Sequence, residues 1–260
     1  MEQRVTITVA DGVADVRLNR ADKMNALDPA MFAGINDAIA QLAGMKEVRV
    51  AVLSGEGRAF CAGLDMASMA GGGSGNDLSA RSHGLANAAQ HVAWGWRELA
   101  MPVIAAVHGV AMGGGFQVMS GADIRIVHPA TRLSIRETYW GLVPDMAGVA
   151  LWRRLARDDV LRELTYTARE FSGADALGYG FATRLDEDPR AAAFALAREI
   201  AGRNPDAVRA SKRLYNLAAD EDSAAVLRAE STEQVALMRS PNQVEAVRAN
   251  MEKRAAVFAD

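Results

Sequence analysis

The stretch from Met101 to Val127, MPVIAAVHGVAMGGGFQVMSGADIRIV, constrains the fold more than any other part of the chain. An apolar run, Val103 to Val107, ends at His108-Gly109. A triple glycine follows, Gly113 to Gly115, then Phe116 to Met119, then a second apolar run, Ile124 to Val127. This order predicts a strand that feeds a helix and returns to the sheet. The glycines fall where the helix begins. With no Cβ to shield them, their N–H groups are bare. Such a helix start suits an anion, a phosphate or a developing oxyanion, and the stretch alone leaves the three open.

The 260 residues are 50% hydrophobic, enough for one large domain or for a core with an appendage. A net charge of -3 with no basic stripe argues against nucleic-acid binding. The single cysteine, Cys61, precludes an internal disulfide and fits a reducing compartment. No apolar run reaches the roughly 18 residues of a membrane span. The N-terminus lacks a signal peptide's pattern, so a soluble cytoplasmic protein is expected. GEGRAF is not a phosphate loop, because the required GK[ST] is missing.

Val5 to Val9 and Val13 to Leu18 alternate around Asp11-Gly12, a hairpin signal. Asp28 and Pro29 open a helix whose Phe32, Ile35, Ile39 and Leu42 should face the core. Val48 to Leu53 reads as a buried strand. It leads into RAFCAGLDM, Arg58 to Met66, a second turn able to present backbone amides. Ala70 to Asn76 is low-complexity and the best candidate for a lid. Leu78 to Leu99 is helical in composition, Leu133 to Ile135 reads as a short strand, and Leu151 to Tyr166 as one amphipathic helix. Ser172 to Gly180 is a helix and turn, and Phe181 to Leu185 a last strand. From Asp188 onward three or four helices are expected, with apolar residues such as Val226, Leu227, Leu237 and Met238. The expected division is an α/β core over 1–190 and a helical region over 191–260, which packs on its own core or drives oligomerisation.

Four segments carry a family resemblance. HGVAMGGGFQVMSGADIRI resembles the signature of the enoyl-CoA hydratase/isomerase (crotonase) superfamily, roughly N-G-x-A-x-G-G-G-x-E-L-x-x-x-C-D. RAFCAGLDM is similar to its A-F-x-A-G-x-D, LNRADKMNAL to its L-N-R-P-x-x-x-N-A-L, and MEKRAAVF to its E-K-R-x-P-x-F. The resemblance implies a crotonase-like spiral of ββα units with a C-terminal helical region, assembled as a trimer or hexamer. It implies an acyl-CoA thioester as substrate and no cofactor beyond that coenzyme A. Carried over by position, the thioester oxygen sits between the amides of Ala62 and Gly114, beside Gly113. The adenine end lies near Lys23 to Leu27, including Ala26, and near Gly63, Leu64, Asp65 and Met66. Lys253 and Phe258 match C-terminal positions that reach the CoA or a neighbouring subunit. The chemistry is coherent: removing a proton alpha to a thioester charges its oxygen, and losing one of two N–H donors typically costs about 3–4 kcal/mol.

The chain departs from that pattern where hydratases hold their first glutamate, which here is Gln117. An amide can hold a water or a substrate oxygen but cannot shuttle a proton near neutral pH. The second glutamate matches Glu137, and eight residues on, where many hydratases have glycine, stands Asp145. Family members that isomerise dienoyl-CoA carry an acid there, and so do those that hydrolyse halogenated aryl-CoA with it as nucleophile. Gln117, Glu137 and Asp145 therefore favour isomerisation of an unsaturated acyl-CoA over hydration. The alternatives are a weakened hydratase, a hydrolase or dehalogenase using Asp145, or a non-catalytic acyl-CoA binder. The bland readings are a salt bridge from Glu137 to Arg136 or Arg132, a turn role for Asp145, and a buried, inert Cys61. His83 or His91 is a minor candidate for the pocket. The four histidines show no metal-ligand spacing.

Overall fold

The computed structural model describes residues 3–70 and 77–260. Most of the low-complexity lid candidate, residues 71–76, therefore lies outside the described residues. The elements in chain order are β1 (Val5–Ala10), β2 (Val13–Leu18), α1 (Pro29–Gly44), β3 (Val50–Gly55), α2 (Met66–Ala70), α3 (Ala88–Glu98), β4 (Val103–Val107) and β5 (Val110–Met112). Then come α4 (Gly114–Ser120), β6 (Ile124–Val127), β7 (Arg132–Ser134), α5 (Gly148–Trp152), α6 (Asp158–Thr167), β8 (Phe171–Ser172), α7 (Gly173–Tyr179) and β9 (Arg184–Leu185). Four helices close the chain: α8 (Pro189–Ala201), α9 (Pro205–Leu217), α10 (Ser223–Leu237) and α11 (Pro241–Glu252).

The main sheet runs β1-β2-β3-β4-β6-β9, and a small one runs β5-β7-β8. In the main sheet β1 and β2 form the antiparallel hairpin and the other neighbours pair parallel, whereas in the small sheet β5 and β7 are parallel and β7 and β8 antiparallel. Parallel pairing demands crossovers, and the helices supply them on both faces. On one face Met31, Phe32, Ile35, Ile39 and Leu42 of α1 join Leu18, Leu53 and Val107 in the larger core. Strand alternation sends Val13, Val50, Val52, Ile104, Ala106 and Ile126 to the other face. There Ala193, Ala197 and Ala201, one helical turn apart, bring α8 down onto the sheet. The layer that covers the core thus runs past residue 190 to Ala201.

Some local expectations give way to tertiary geometry. β5 is a strand that the sequence reading missed. Three residues are too few for an alternation signal, yet Val110 and Met112 pair with Arg132 and Ser134 of β7. The helix expected over Leu78–Leu99 begins only at Ala88, where Asn87 and Gln90 form a reciprocal cap. The single helix expected over Leu151–Tyr166 breaks after Trp152 and restarts at Asp158, where Asp158 and Asp159 suit a helix start. The strand expected over Phe181–Leu185 shrinks to Arg184–Leu185, because the Phe181 and Ala182 amides turn back to Ala176 O.

Several polar ties hold the helical tail to the core, among them Arg209 to Lys46 O and Val48 O and Asn216 to Arg97 O. Lys212 Nζ of α9 donates to Trp96 O and Met101 O and pairs with Asp123. Arg49, just before β3, binds Asp260, Phe258 O and Ala201 O. α10 buries none of its residues.

Candidate active site

Two turns are clamped together at the carboxyl end of the sheet. The first leaves β3 and runs through Ala59–Met66. Asn25, with no exposed surface, reaches it from the first helical crossover. Its Nδ2 donates to Glu56 O, Ala59 O and Phe60 O at 2.9–3.1 Å, and its Oδ1 accepts the Arg20 N–H at 2.8 Å. Asn25 sits at φ 55° after Met24 at φ 49°, and asparagine tolerates this left-handed region better than most residues.

The second turn links β5 to α4 and is stapled to the first by Cys61 N–H to Val110 O and Met112 N–H to Cys61 O. Glycines stand where the turns touch. A Cβ on Gly115 would lie 2.3 Å from Cys61 O. One on Gly63, at φ 89°, would lie 2.6 Å from Met112 O and 3.7 Å from the Gly114 nitrogen.

The available amides follow from this pairing, and they correct one expectation. The Ala62 N–H donates to Met24 O at 2.9 Å, so it is committed to the protein and is not free for a ligand. Leu27 pairs in parallel with Leu64: its N–H donates to Gly63 O and its carbonyl accepts the Asp65 N–H. A parallel bridge of this kind turns the intervening Leu64 N–H the other way. Among the described residues that N–H has no acceptor, and neither has the Gly114 N–H at the first position of α4. The Gly113 N–H is taken by Ser134 O. Leu64 and Gly114 are therefore the free pair. They line one cavity of about 470 Å³ with Met24, Gly63, Gly113 and Glu137.

Glu137 opens a short 3-10 turn, Glu137–Trp140, and is only 6% exposed. Its Oε1 accepts from Gln117 Nε2 at 2.5 Å. Its Oε2 is buried without a hydrogen-bond partner. Burial pushes the carboxyl above the usual carboxylate range. The Asp145 charge adds to the rise, and the Gln117 bond opposes it. The surface salt bridge to Arg132 or Arg136 does not form, because those arginines turn to Glu170 instead.

Gln117 differs from its expected role. It is fully buried, and its Oε1 accepts the Met146 and Gly148 N–H groups, both at 2.9 Å. It is not among the cavity's lining residues and holds protein groups rather than a water or substrate oxygen. Asp145 immediately precedes the tethered Met146. It is open to solvent on one side, yet the protein atoms crowding its other side raise its carboxyl as well.

Of the remaining expected positions, Met66 lines the cavity, and Lys23 is exposed beside Met24. The Ala26 carbonyl accepts from Arg20. Asp65 pairs with Arg20 at 2.7 Å and caps α2, and that pairing holds its carboxyl below the usual range. Lys253 and Phe258 do not line this chain's cavity. Arg49 holds the Phe258 carbonyl at the start of β3, the opposite end of that strand from the turns. His83 and His91 stack on each other, with ring centroids 4.3 Å apart, and neither lines the cavity. Cys61 is fully buried, and burial pushes its thiol up to about 12. A larger hollow of about 660 Å³ under α9 contains none of the free amides or the Glu137 carboxyl.

The sequence reading missed Asn25 as the strut of the first turn and Leu64 as an amide donor. The quoted motif contains that asparagine, and an asparagine between strand and helix signals, a residue type that accepts left-handed turns, was the available clue.

The family described as enoyl-CoA hydratase/isomerase matches residues 8–260. The chain belongs to that family. It is 30% identical to the mitochondrial Delta(3,5)-Delta(2,4)-dienoyl-CoA isomerase of Mus musculus, over 93% of this chain and 77% of that protein. It is 31% identical to a probable enoyl-CoA hydratase of Mycobacterium tuberculosis, over 84% of each. A crystal structure of a putative enoyl-CoA hydratase from Streptomyces coelicolor superposes with a TM-score of 0.89 at 32% identity, over 98% of this chain and 94% of that one.

The enoyl-CoA hydratase/isomerase family gives the fold its name, the crotonase fold, and makes this chain an acyl-CoA-processing enzyme, a lyase or an isomerase. The family acts on CoA thioesters without a required cofactor. Among the described residues, no helix is long and apolar enough to cross a membrane.

Proposed function

We propose that this enzyme moves a double bond along an unsaturated acyl-CoA, rather than adding water to it. The observation that carries this reading is the engagement of Gln117: at the position of a hydratase's first glutamate stands an amide saturated by protein groups. Two carboxyls line the cavity, and since Glu170 is paired with Arg132 and Arg136, Glu137 is the one left to act as base.

The thioester oxygen accepts the Leu64 and Gly114 N–H groups. Glu137 takes a C2 proton from a 3-enoyl chain, and the electron pair spreads into a dienolate whose charge rests on that oxygen. Return of the proton at C4 gives the 2-enoyl thioester. With a 3,5-dienoyl chain the return is at C6, by Glu137 or by Asp145. The raised Glu137 carboxyl suits both halves, since a base that ionises nearer neutral pH is also a competent acid there. Self-association through α10 and α11 belongs to the same proposal, supported by the exposed Leu227, Val235, Val244, Val247 and Met251.

The test follows the thioester chromophore with crotonyl-CoA, 3-enoyl-CoA and 3,5-dienoyl-CoA in parallel. Faster isomerisation than hydration is expected. Hydration of crotonyl-CoA outrunning both isomerisations would overturn the proposal.

A further inference from the structure

We infer that the hollow under α9 is a binding site for an aliphatic carboxylate, a fatty acid in its ionised form, seated apart from the catalytic cavity. The two openings share no lining residue. The catalytic cavity lies at the carboxyl end of the sheet. This hollow lies at the amino ends of the strands, where Pro102 precedes β4 and Asp123 precedes β6.

Its outer wall is α9. Ala207, Ser211 and Tyr215 recur every four residues and share one face of that helix. The small side chains at 207 and 211 leave the face standing off the sheet. Lys212 and Asn216 hold the helix in place through Trp96 O, Met101 O and Arg97 O. The result is a hollow of about 660 Å³, within the roughly 300–1,000 Å³ typical of small-molecule sites. Ile124, Leu151, Leu155, Ile200 and Val208 make much of its surface apolar.

The charge of the lining is one-sided. Arg97, Arg125, Arg154, Arg203 and Lys212 face a single acid, Asp123. That acid is already engaged: it accepts the Val103 N–H at 2.7 Å and pairs with Lys212 at 2.8 Å. Arg154 and Arg203 reach carboxylates outside the hollow, Asp220 and Glu199.

Arg97 and Arg125 are left over. Among the described residues neither pairs with a carboxylate. Arg97 donates to Asn216 O. Arg125, only 6% exposed, donates to Phe181 O and Ala122 O, both at 2.6 Å. Burial pulls the Arg125 guanidinium down to about 10, with the Asp123 charge in opposition. A buried cation is costly unless an anion faces it. The planar fork of a guanidinium matches a carboxylate in particular. Apolar walls beside that fork favour a carboxylate carried on a hydrocarbon chain over a bare inorganic anion.

The test is calorimetric titration of the protein with octanoate, octanol and inorganic phosphate, each with and without saturating butyryl-CoA. Octanoate should bind saturably, once per chain, and butyryl-CoA should leave that binding unchanged. Octanol lacks the charge and phosphate lacks the chain, and each should bind at least about tenfold more weakly. Arg97→Gln keeps a donor for Asn216 O but removes the charge, and should weaken octanoate by about tenfold or more. Ala207→Phe fills the hollow from the helix face and should abolish saturation. Circular dichroism checks the fold of both variants. Three outcomes with wild type, which need no variant to fold, would overturn the site: no saturable octanoate binding, displacement by butyryl-CoA, or octanol binding as tightly as octanoate. Phosphate binding as tightly as octanoate would overturn the aliphatic ligand. Undiminished octanoate binding in both folded variants would put the ligand elsewhere and overturn the site as well.

Discussion

The two halves of the site are built in different ways. The amide half, around Leu64 and Gly114, is positioned by backbone. Strand-like bonds join Leu27 to the 63–65 segment and Cys61 to β5, Asn25 braces the turn from behind, and glycines fill the contacts where a Cβ would not fit. The acid half, from Glu137 to Gly148, is joined by a side chain: Gln117 bonds the Glu137 carboxyl at one end and the Met146 and Gly148 amides at the other, while Thr138 ties the turn to Thr165 O. The donor half is fixed redundantly, as suits groups that must be in place before charge develops. The acid half relies on the Gln117 side chain to set the carboxyl against the following turn, so one substitution there can change the chemistry while leaving the fold intact.

The sharpest way to test that contrast is Glu137→Gln. The variant keeps shape and the Gln117 bond but removes the proton carrier, and kcat/KM should fall by about 100- to 10,000-fold. A loss under tenfold would move the acid elsewhere. Next is Gly63→Ala, which strains a residue at φ 89° and drives a methyl into Met112 O. Parting the two amides should lower kcat by about 100- to 1,000-fold, the effect of a missing donor. Asn25→Ala leaves three carbonyls of the first turn without their buried donor. It should lower unfolding free energy by about 1–3 kcal/mol in a urea titration, with weaker CoA-thioester binding.

The pH dependence of stability is a smaller effect and has a definite sign. The folded-state pKa of Glu137 is raised, so its burial is harmless below the ordinary carboxylate range, where folded and unfolded forms are both protonated. As pH climbs above that range the unfolded form ionises first, and the folded state loses stability progressively. The melting temperature of Glu137→Gln relative to wild type should therefore rise between about pH 4 and pH 8. A flat or falling difference would mean that the acid is not held up by burial. The smallest effect is expected from Asp145→Asn: less than about tenfold on 3-enoyl-CoA, with a larger loss on 3,5-dienoyl-CoA if this carboxyl returns the distant proton.

Much of this was legible in the chain, and the exceptions share a cause. Val103–Val107 and Ile124–Val127 are long enough for their apolar pattern to declare β4 and β6, and the glycine triplet marked the start of α4. Glu137 stood out because a carboxyl was expected at that place. Ala62 was assigned as a donor because its neighbourhood matched, but which amide of a turn stays free is decided by its pairing partner. Met24 and Leu27, nearly forty residues upstream, are invisible to a local reading. Gln117 was hidden in the same way. Spacing placed it on the correct face of α4, but only the position of Met146 and Gly148 shows that its oxygen is already taken.

Cys61 lies at the seam between the two turns, its Sγ 3.1 Å from Asn25 O, and it is the chain's sole thiol. A sulfur sealed there and held protonated to about 12 is silent toward alkylating reagents until the seam parts. Its labelling rate with iodoacetamide is thus a stopwatch for breathing of the donor pocket, readable in the unmodified enzyme with no introduced probe.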